Sequence, residues 1–391
     1  MSTGVSVIAA GQTGYGLFPE RTLKALFHAA AQDCFASLDR ALDPADIDEA
    51  FIGTLGTGGS QLGNFAPLMM EAAGLVGAPA THVENACASA GFAFRAAVMA
   101  VASGQARIAM AGGIEKMSDL PRERNRSWLG VSGDVEWERL AGTNFPGIYA
   151  MMARRHMHEH ATTKAQITGV AVKNRANAVA NPKAQFRVAL DAGKALAAPM
   201  LAAPLTLADA CGITDGASMV IVARDDIARD FCDAPVRVLG LGAGTDCVAV
   251  HDRPTMTELA ATRRAARQAY AMAGIQPGDV GFAEVHDCFT IAEILAYGDL
   301  GFCATADAGR LIADGTTARD GRLPVNVSGG LIGKGHPIGS TGTGQIYEIF
   351  HQLRGTARGD GRQLADPRIG LAHNVGGSGG VVAVTILGAA G

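Results

Sequence analysis

Cys87 lies in the run Val83-Glu-Asn-Ala-Cys87-Ala-Ser-Ala-Gly, where a strand-like segment gives way to small residues and a helix is predicted to begin at the cysteine. Unpaired backbone N–H groups and the positive end of the helix dipole favour a thiolate there. Each unit by which the pKa of the thiol falls stabilises the thiolate, relative to the thiol, by about 1.4 kcal/mol. A cysteine among alanines is also a common small core residue, so Cys87 is a candidate nucleophile that needs support from its surroundings.

His336 is the second candidate, because it lies in the glycine-rich run Asn326-Val-Ser-Gly-Gly-Leu-Ile-Gly-Lys-Gly-His336-Pro-Ile-Gly-Ser-Thr-Gly-Thr-Gly. Glycines let the backbone approach other groups closely, and Pro337 fixes the chain directly after the histidine. A histidine in such a run has few side chains around it to form a core. We therefore predict a functional imidazole at the start of the following helix, rather than a structural one.

Two further runs follow short predicted strands in the second half of the chain: Phe282-Ala-Glu-Val-His286-Asp-Cys288-Phe and Gly370-Leu-Ala-His373-Asn-Val-Gly-Gly. Loops at the carboxyl ends of strands commonly form sites. If the first of these strands continues, alternation puts His286 and Cys288 on one side of it. Metal binding is the competing interpretation, but the spacing matches no standard zinc pattern, and we predict no metal.

The remaining histidines and cysteines are predicted to be structural. His156 and His160 share a helix face, but His158 does not, so a structural role is favoured over a metal site. Five cysteines have no motif around them and are predicted to be packing residues: Cys34, Cys211, Cys232, Cys247 and Cys303.

The candidates must be held by a framework of alternating elements, which indicates an α/β fold. Short β-branched runs predict strands over Val5–Ala9, Glu49–Ile52, Ala106–Ala111, Ser218–Val222, Val236–Leu241, Val280–Val285 and Val381–Leu387. Alanine-rich stretches with helical spacing predict helices over Leu23–Leu38, Ala88–Ala102, Thr257–Met272 and Gly342–Gln352.

The two halves of the chain repeat one another. The segment around Pro44 matches the segment around Pro277 at an offset of 233, and each follows an alanine-rich helix. Further on, Arg107-Ile-Ala-Met-Ala-Gly resembles Arg368-Ile-Gly-Leu-Ala-His. Self-similarity of this kind indicates a duplicated α/β domain.

Composition narrows the class of protein. The chain has 391 residues, 48% of them apolar, with 33 Lys and Arg against 37 Asp and Glu. A chain of this length can bury large hydrophobic cores. No apolar run reaches the roughly 20 residues that are needed to span a membrane. Residues 122–194 hold 12 Lys and Arg against 6 Asp and Glu, which indicates either a site for an anionic small molecule or a solvated or oligomer-contacting segment. Nucleic-acid binding is not predicted, because long basic runs and interleaved aromatic residues are lacking.

Cysteine usage and the chain ends bear on the compartment. Seven cysteines without a CxxC pair indicate neither a disulfide framework nor a zinc ribbon. The start lacks a basic flank before its short apolar stretch, and the end lacks a peroxisomal tail. We expect a cytoplasmic protein.

The four motifs, in this order over essentially the whole chain, resemble the thiolase superfamily, and His286-Asp-Cys288-Phe and His373-Asn resemble its sterol-carrier-protein type. The resemblance implies a duplicated thiolase fold with five α-β-α-β-α layers and an inserted loop domain. It divides the chain into a first half at 1–120 and 200–233, an insertion at 121–199, and a second half at 234–391.

The resemblance also assigns roles. Cys87 matches the acyl-accepting nucleophile, and His336 the histidine that activates it and helps to hold the substrate thioester oxygen. His286 matches the position that replaces an asparagine of ordinary thiolases in the first oxyanion hole. Cys288 matches the cysteine that shuttles the α-proton.

One motif departs from the ordinary pattern, which has its proton-shuttling cysteine where this chain has His373. The sterol-carrier type shares this change, so the catalytic set is complete while the role of His373 stays open. The backbone N–H of Cys87 and one near Val375 or Gly376 would form the second oxyanion hole.

The implied activity is acyl transfer between 3-ketoacyl-CoA and CoA through a cysteine acyl-enzyme, with no permanently bound cofactor and with coenzyme A as substrate. A thioester exchange needs a nucleophile comparable to the leaving thiolate, and cysteine provides one. The resemblance also implies a homodimer or homotetramer, and some relatives have a small OB-fold zinc-ribbon partner. Two alternatives stay open: transfer to a carbon acceptor that is not bound to CoA, and a non-catalytic subunit of an acyl-CoA-binding complex.

Overall fold

A computed structural model describes residues 3–357, 359 and 361–390 of the chain. The strands in chain order are β1 Val5–Gln12, β2 Glu49–Gly53, β3 Ala80–Val83, β4 Ile108–Glu115, β5 Met200–Ala202, β6 Leu205–Thr206, β7 Gly216–Arg224, β8 Val236–Thr245, β9 Phe282–Glu284, β10 Ile369–Gly376 and β11 Val381–Gly388. The helices are α1 Leu23–Phe35, α2 Phe65–Ala73, α3 Ser89–Ala102, α4 Arg122–Leu129, α5 Phe145–His160, α6 Lys164–Val179, α7 Ala192–Leu196, α8 Asp225–Ala228, α9 Ala260–Ala273, α10 Thr290–Asp299, α11 Ala308–Ala313, α12 Gly330–Lys334 and α13 Thr341–Leu353.

Nine strands are hydrogen-bonded in the order β3-β2-β4-β7-β1-β8-β11-β10-β9, and β5 pairs with β6 separately. The sheet is mixed: β2 is parallel to β3 and β4, and β9 is parallel to β10, whereas the other neighbours are antiparallel. The strands of the first half meet those of the second where β1 pairs with β8, through Ser6 with Arg237 and Val7 with Val236. The strands of the two halves therefore form one continuous sheet.

The internal repeat predicted from the sequence is confirmed by the order of elements. Short 3₁₀ turns at Pro44–Asp46 and Pro277–Asp279 each follow a long helix and precede a strand, so that α1 to β2 corresponds to α9 to β9. The second pair of similar segments forms β4 and β10, which follow α3 and α13. The same succession of strands and helices is thus used twice.

The elements form five layers, as predicted. Alternate residues of β7 face opposite sides: Met219 and Ile221 pack in a core with α1 and α2, and Val220 and Val222 pack in a core with α3 and α13. The central helices also contact β10 and β11 of the second half. On its outer side, the second half packs against α9 and α10. The layers are α1/α2, first-half strands, α3/α13, second-half strands and α9/α10.

Glycine lets the two central helices approach closely. A Cβ atom on Gly342 of α13 would overlap the backbone nitrogen of Gly91 in α3 and the side chain of Asn374 in β10. This close contact holds the loop before α3 beside the loop before α13. These two loops carry Cys87 and His336.

Several predicted boundaries differ from the structure. Residues 121–199, predicted as an inserted loop domain, carry helices α4 to α7, and their status as a separate domain stays a prediction. The strand predicted over Val280–Val285 ends at Glu284, so His286 and Cys288 lie in a loop rather than on one side of a strand. His373 lies inside β10 rather than after a strand. Among the described helices, none is both long enough and apolar enough to cross a bilayer.

Candidate active site

Cys87 lies in a tight turn between β3 and α3. The residue before it, Ala86, has a left-handed backbone with φ of 51°. The Ser89 hydroxyl closes the turn, because it accepts from the Asn85 N–H at 2.9 Å and donates to the Ala86 carbonyl at 2.6 Å. The helix begins at Ser89, two residues later than predicted. The turn presents the thiol of Cys87, a partly buried residue, to the cavity described below.

The thiolate expected at Cys87 is not favoured in the resting protein. Burial raises the pKa of the Cys87 thiol, as do the nearby Cys288 thiol and the Glu115 carboxyl group. The Gly377 backbone N–H, in hydrogen-bonding contact with the Cys87 sulfur, only partly opposes this increase in the pKa. The prediction of a thiolate was therefore wrong, because loss of hydration on burial has the largest effect on the pKa of this thiol. Cys87 needs a base to remove its proton.

His336 is held as a neutral base. Its Nδ1 lies 2.7 Å from the Thr341 hydroxyl, which donates its own proton to the Pro337 carbonyl at 3.0 Å. Thr341 can therefore only accept from the ring, which places the imidazole proton on Nδ1 and leaves a lone pair on Nε2. Burial lowers the pKa of His336 to about 3, so the ring is neutral near pH 7.

His286 is held in the opposite tautomer. The Asn374 amide is fixed at both ends, since its oxygen accepts from the Gly91 N–H at 3.2 Å and its nitrogen donates to the Cys87 carbonyl at 2.9 Å. The same nitrogen faces His286 Nδ1 at 3.5 Å and can only donate, so the ring proton lies on Nε2. That Nε2 is buried and has no hydrogen-bond partner among the described residues. Burial lowers the pKa of His286 well below its usual value.

Cys87, His286 and His336 converge. The Cys87 sulfur and one ring nitrogen from each histidine lie within 4.8 Å of one another. The two imidazole rings meet edge to face, with their centroids 5.0 Å apart. These residue types also bind zinc, but the proton on His286 Nε2 makes this atom a donor rather than a ligand. The arrangement suits the stabilisation of an oxyanion better than it suits a metal.

Cys288 lines the same cavity as Cys87 and lies in the loop between β9 and α10. Its sulfur is in hydrogen-bonding contact with the Tyr149 hydroxyl, and its carbonyl accepts from the Cys211 N–H at 3.0 Å. Burial raises the pKa of Cys288 to about 12. The two sulfurs predicted to work together therefore lie in one cavity.

His373 does not line this cavity. Its Nε2 lies 3.0 Å from the Thr262 hydroxyl of α9, on the opposite side of β10 from Asn374. Gly376 ends β10, and a Cβ there would overlap the Asn85 carbonyl. The next residue, Gly377, lines the cavity and directs its N–H at Cys87. The backbone N–H that faces Cys87 is therefore that of Gly377, one residue beyond Gly376, and its role in an oxyanion hole stays a prediction.

Buried carboxylates fix the loops that carry these groups. Asp287 accepts from the backbone N–H of Leu331 at 2.6 Å and from the Asn174 amide at 2.7 Å, which ties the Cys288 loop to the start of α12. Glu115 accepts from the N–H of Thr57 at 2.7 Å and of Gly339 at 3.1 Å. Burial raises the pKa of both carboxyl groups to about 7. Glu115 connects the two halves beside the site, and Asp287 connects the second half to the middle segment.

The cavity has a volume of about 510 Å³ and mainly apolar walls. Helix α5 and the 200–213 segment supply much of the cavity wall, and Phe289 and Ile338 also line it. The wall residues from α5 and this segment are Phe145, Pro146, Leu201, Leu207, Ala210 and Ile213. Arg122 and Arg175, from the basic middle segment, also line it. Cys211, predicted to be a packing residue, lines the cavity as well.

Four contributors were missed in the sequence: Tyr149, Thr341, Asn374 and Gly377. Asn374 directly follows His373 in a motif that had been singled out, but only the register of β10 shows which of the two faces Cys87. Tyr149 is joined to the site by its hydrogen bond to the Gly377 carbonyl, and no local sequence pattern predicts a contact between residues so far apart in the chain. By contrast, His156 is fully buried and its Nδ1 lies 2.9 Å from the Thr162 hydroxyl, as a structural residue would be.

Comparisons with known proteins agree with this geometry. Residues 5–190 match the family model "Thiolase, N-terminal domain", and residues 242–389 match "Thiolase C-terminal domain-like". An "Acetyl-CoA acetyltransferase" of Methanothermobacter thermautotrophicus is 42% identical over 383 residues, which cover 98% of each chain. "Sterol carrier protein 2" of Homo sapiens is 28% identical over 98% of this chain and 71% of its own length. A chain of the solved "Ltp2-ChsH2(DUF35) aldolase" superposes with a TM-score of 0.87, at 26% identity over 99% of this chain and 98% of its own. The chain therefore belongs to the thiolase family of acyl-transferring enzymes.

Proposed function

We propose that this chain cleaves 3-ketoacyl-CoA with CoA, and runs the reverse Claisen condensation, through an acyl-enzyme on Cys87. The observation that carries the proposal is the convergence of two thiols, Cys87 and Cys288, with the unprotonated Nε2 of His336 and the N–H of His286. Coenzyme A acts as a substrate, and no permanently bound cofactor is required.

The first half-reaction forms the acyl-enzyme. His336 Nε2 takes the proton of the Cys87 thiol, and the thiolate attacks the 3-keto carbon of the substrate. The resulting oxyanion is stabilised by the backbone N–H groups of Cys87 and Gly377. The bond between C2 and C3 breaks, and the acetyl-CoA enolate, held by His286 Nε2–H, receives a proton from Cys288. Acetyl-CoA leaves behind acyl-Cys87, protonated His336 and a Cys288 thiolate.

The second half-reaction regenerates the enzyme. The incoming CoA thiol gives its proton to the Cys288 thiolate and attacks the acyl group on Cys87. The Cys87 thiolate leaves and recovers its proton from His336. Every group has returned to its starting state, and the reverse order of steps condenses two acyl-CoA molecules.

A 3-ketoacyl-CoA plus CoA assay tests the proposal, with loss of substrate followed over time. We expect an active wild type, an inactive Cys87→Ala variant, and wild-type rates for Cys34→Ala, which replaces a buried cysteine of the α1 core. An inactive wild type, or a fully active Cys87→Ala variant, would overturn the proposal.

A second candidate is function within a complex, which the similarity to a chain of the "Ltp2-ChsH2(DUF35) aldolase" favours. In this case a small OB-fold zinc-ribbon partner would bind the chain as a subunit of an acyl-CoA-binding complex. Transfer of the acyl group to a carbon acceptor not attached to CoA is a separate alternative. Product analysis with acetyl-CoA and candidate acceptors separates this function from thiolysis. Formation of the CoA-linked product alone would contradict it.

We also propose a cytoplasmic homodimer or homotetramer. All seven cysteines, each within the described ranges, are free thiols, which suits a reducing compartment. Light scattering tests the assembly: the mass should be two or four times the 40.1 kDa of one chain, and a monomer would contradict the proposal.

A further inference from the structure

Tyr149 lines the cavity beside Cys288, the proposed proton shuttle. Its side chain is almost fully buried and lines the cavity, and its ring stacks on Phe289 with centroids 4.6 Å apart. The hydroxyl donates to the Gly377 carbonyl at 3.1 Å and is close enough to the Cys288 thiol to lower the pKa of that thiol. It thus lies between the shuttle and the loop whose N–H faces Cys87.

Helix α5 sets this position. The Asn144 side chain caps the helix by accepting from the Gly147 N–H at 3.0 Å, which fixes the first turn at the cavity. Phe145 and Pro146 of this turn form part of the wall, and Tyr149 follows one turn later on the same face. The middle segment therefore supplies a polar group to the chemistry, in addition to covering the site.

One phenolic proton faces two acceptors. While Cys288 is a thiol, the hydroxyl donates to Gly377 and can accept from the S–H group. After Cys288 protonates the enolate, its thiolate is a stronger acceptor than a carbonyl oxygen, because hydrogen bonds to ions are about twice as strong as neutral ones. Rotation about the C–O bond then turns the phenolic proton to the sulfur.

We propose that Tyr149 is a catalytic hydrogen-bond donor that stabilises the Cys288 thiolate during carbon–carbon bond cleavage and formation. In the cleavage step the S–H bond breaks, a C–H bond forms on the enolate carbon, and the new sulfur charge accepts the O–H of Tyr149, which keeps its own proton. The inference rests on the proposed role of Cys288 and goes beyond it by assigning the group that supports that role.

The electrostatics of the pair agree with this assignment. The Tyr149 hydroxyl lowers the pKa of Cys288, against the larger increase caused by burial. Burial and the neighbouring thiols raise the pKa of Tyr149 well above its usual value, so it stays a protonated donor throughout. A group that never ionises can stabilise the thiolate without competing for its proton.

Two reactions of the same enzyme separate Tyr149 from the acyl-transfer machinery. Thiolysis passes through a Cys288 thiolate, because Cys288 protonates the enolate. Exchange of labelled CoA into acetyl-CoA forms no enolate, so Cys288 stays a thiol and His336 carries the proton between Cys87 and CoA. We expect Tyr149→Phe, which keeps the stacked ring, to lower kcat for thiolysis by about 10- to 100-fold, in line with a hydrogen bond to a charged group. Exchange should stay within about twofold of the wild-type rate. Tyr270→Phe is the matched control, since it removes a buried 2.8 Å hydrogen bond to the Leu300 carbonyl outside the cavity; both of its rates should be wild-type.

A direct readout of the thiolate completes the test. In a Cys87→Ala background at alkaline pH, the rate of Cys288 alkylation by iodoacetamide, measured by peptide mapping, should fall when Tyr149→Phe is added. Unchanged alkylation and thiolysis would overturn the inference, as would an equal loss of thiolysis and exchange. If Cys288→Ala retains thiolysis, the proposed function fails instead, so the two failures are distinguishable.

Discussion

At the scale of single residues, the site depends on which ring nitrogen of each histidine carries the proton. Thr341 fixes the proton of His336 on Nδ1, and Asn374 fixes that of His286 on Nε2. One ring can therefore accept the Cys87 proton while the other donates to an oxyanion. Two neutral imidazoles of the same type are given opposite roles by their neighbours.

The tautomer of His336 can be tested with Thr341→Val, which keeps the shape of the side chain but removes the acceptor for Nδ1–H. We expect kcat for thiolysis to fall about tenfold, equivalent to about 1.4 kcal/mol, with KM little changed. Steady-state kinetics provides the measurement. A wild-type kcat would show that Thr341 does not fix the tautomer.

His373 provides a test of pH dependence. Burial lowers the pKa of His373 to about 3, so between pH 6.5 and pH 3 the unfolded state binds more protons and stability falls as the pH falls. From pH 7 to pH 5 this residue should cost about 2 kcal/mol of unfolding free energy. For His373→Asn, the fall in unfolding free energy from pH 7 to pH 5 should be smaller than for the wild type by about 2 kcal/mol, as measured by urea unfolding at the two pH values. The same pH dependence in both proteins would contradict the prediction.

Residue types revealed most of the site, but not its hydrogen-bond partners. Cys87, His286, Cys288 and His336 could be picked out because their motifs are unusual and resemble those of a known family. The pKa of Cys87 could not be predicted, since it depends on burial by distant segments. The sequence also does not show that the side chains of His373 and Asn374 lie on opposite sides of β10.

At the scale of elements, the contact between α3 and α13 holds Cys87, the proposed nucleophile, close to His336, its proposed base. The loops that carry Cys87 and His336 immediately precede these helices. Both helices were predicted from the sequence to within two residues at each end, because their alanine and glycine patterns are strong. The helices of the middle segment were not predicted: their packing against the cavity arises from long-range contacts that a single sequence does not show.

The helix contact can be tested with Gly342→Ala. The added Cβ would overlap the Gly91 nitrogen, so we expect a loss of about 1–3 kcal/mol in stability and a lower kcat as Cys87 and His336 are displaced. Urea unfolding and thiolysis kinetics provide the measurements. Gly278→Ala is the control, because no described atom lies within 4 Å of a Cβ there. Equal stability and kcat in the two variants would contradict the account.

At the scale of the whole molecule, the central layer makes the two halves one folding unit. Ile346 of α13 is almost fully buried in a cluster that contains Val220 of the first half and Ala372 of the second. The duplication could be predicted from short matching segments, which mark the same place in each half. The joining of the two halves through β1 and β8 could not, because no feature of either strand specifies its partner.

Ile346→Ala should therefore weaken the whole chain. Removing this side chain from the central layer should cost about 2–5 kcal/mol of unfolding free energy and leave a single cooperative transition. Urea unfolding followed by circular dichroism measures both quantities. Val76→Ala, at a position that is 81% exposed, should change stability by less than about 0.5 kcal/mol. Two separate transitions, with only one of them shifted, would contradict the prediction.

The central claim is that Cys87 carries the acyl group while Cys288 carries the proton. It is tested most directly by mass spectrometry of the enzyme after acetyl-CoA is added and the reaction is quenched in acid. The account predicts a mass increase of one acetyl group, located by peptide mapping on Cys87, in the wild type and in Cys288→Ala. An acetyl group on Cys288 or Cys211 instead, or no adduct in an enzyme that is active in thiolysis, would contradict it.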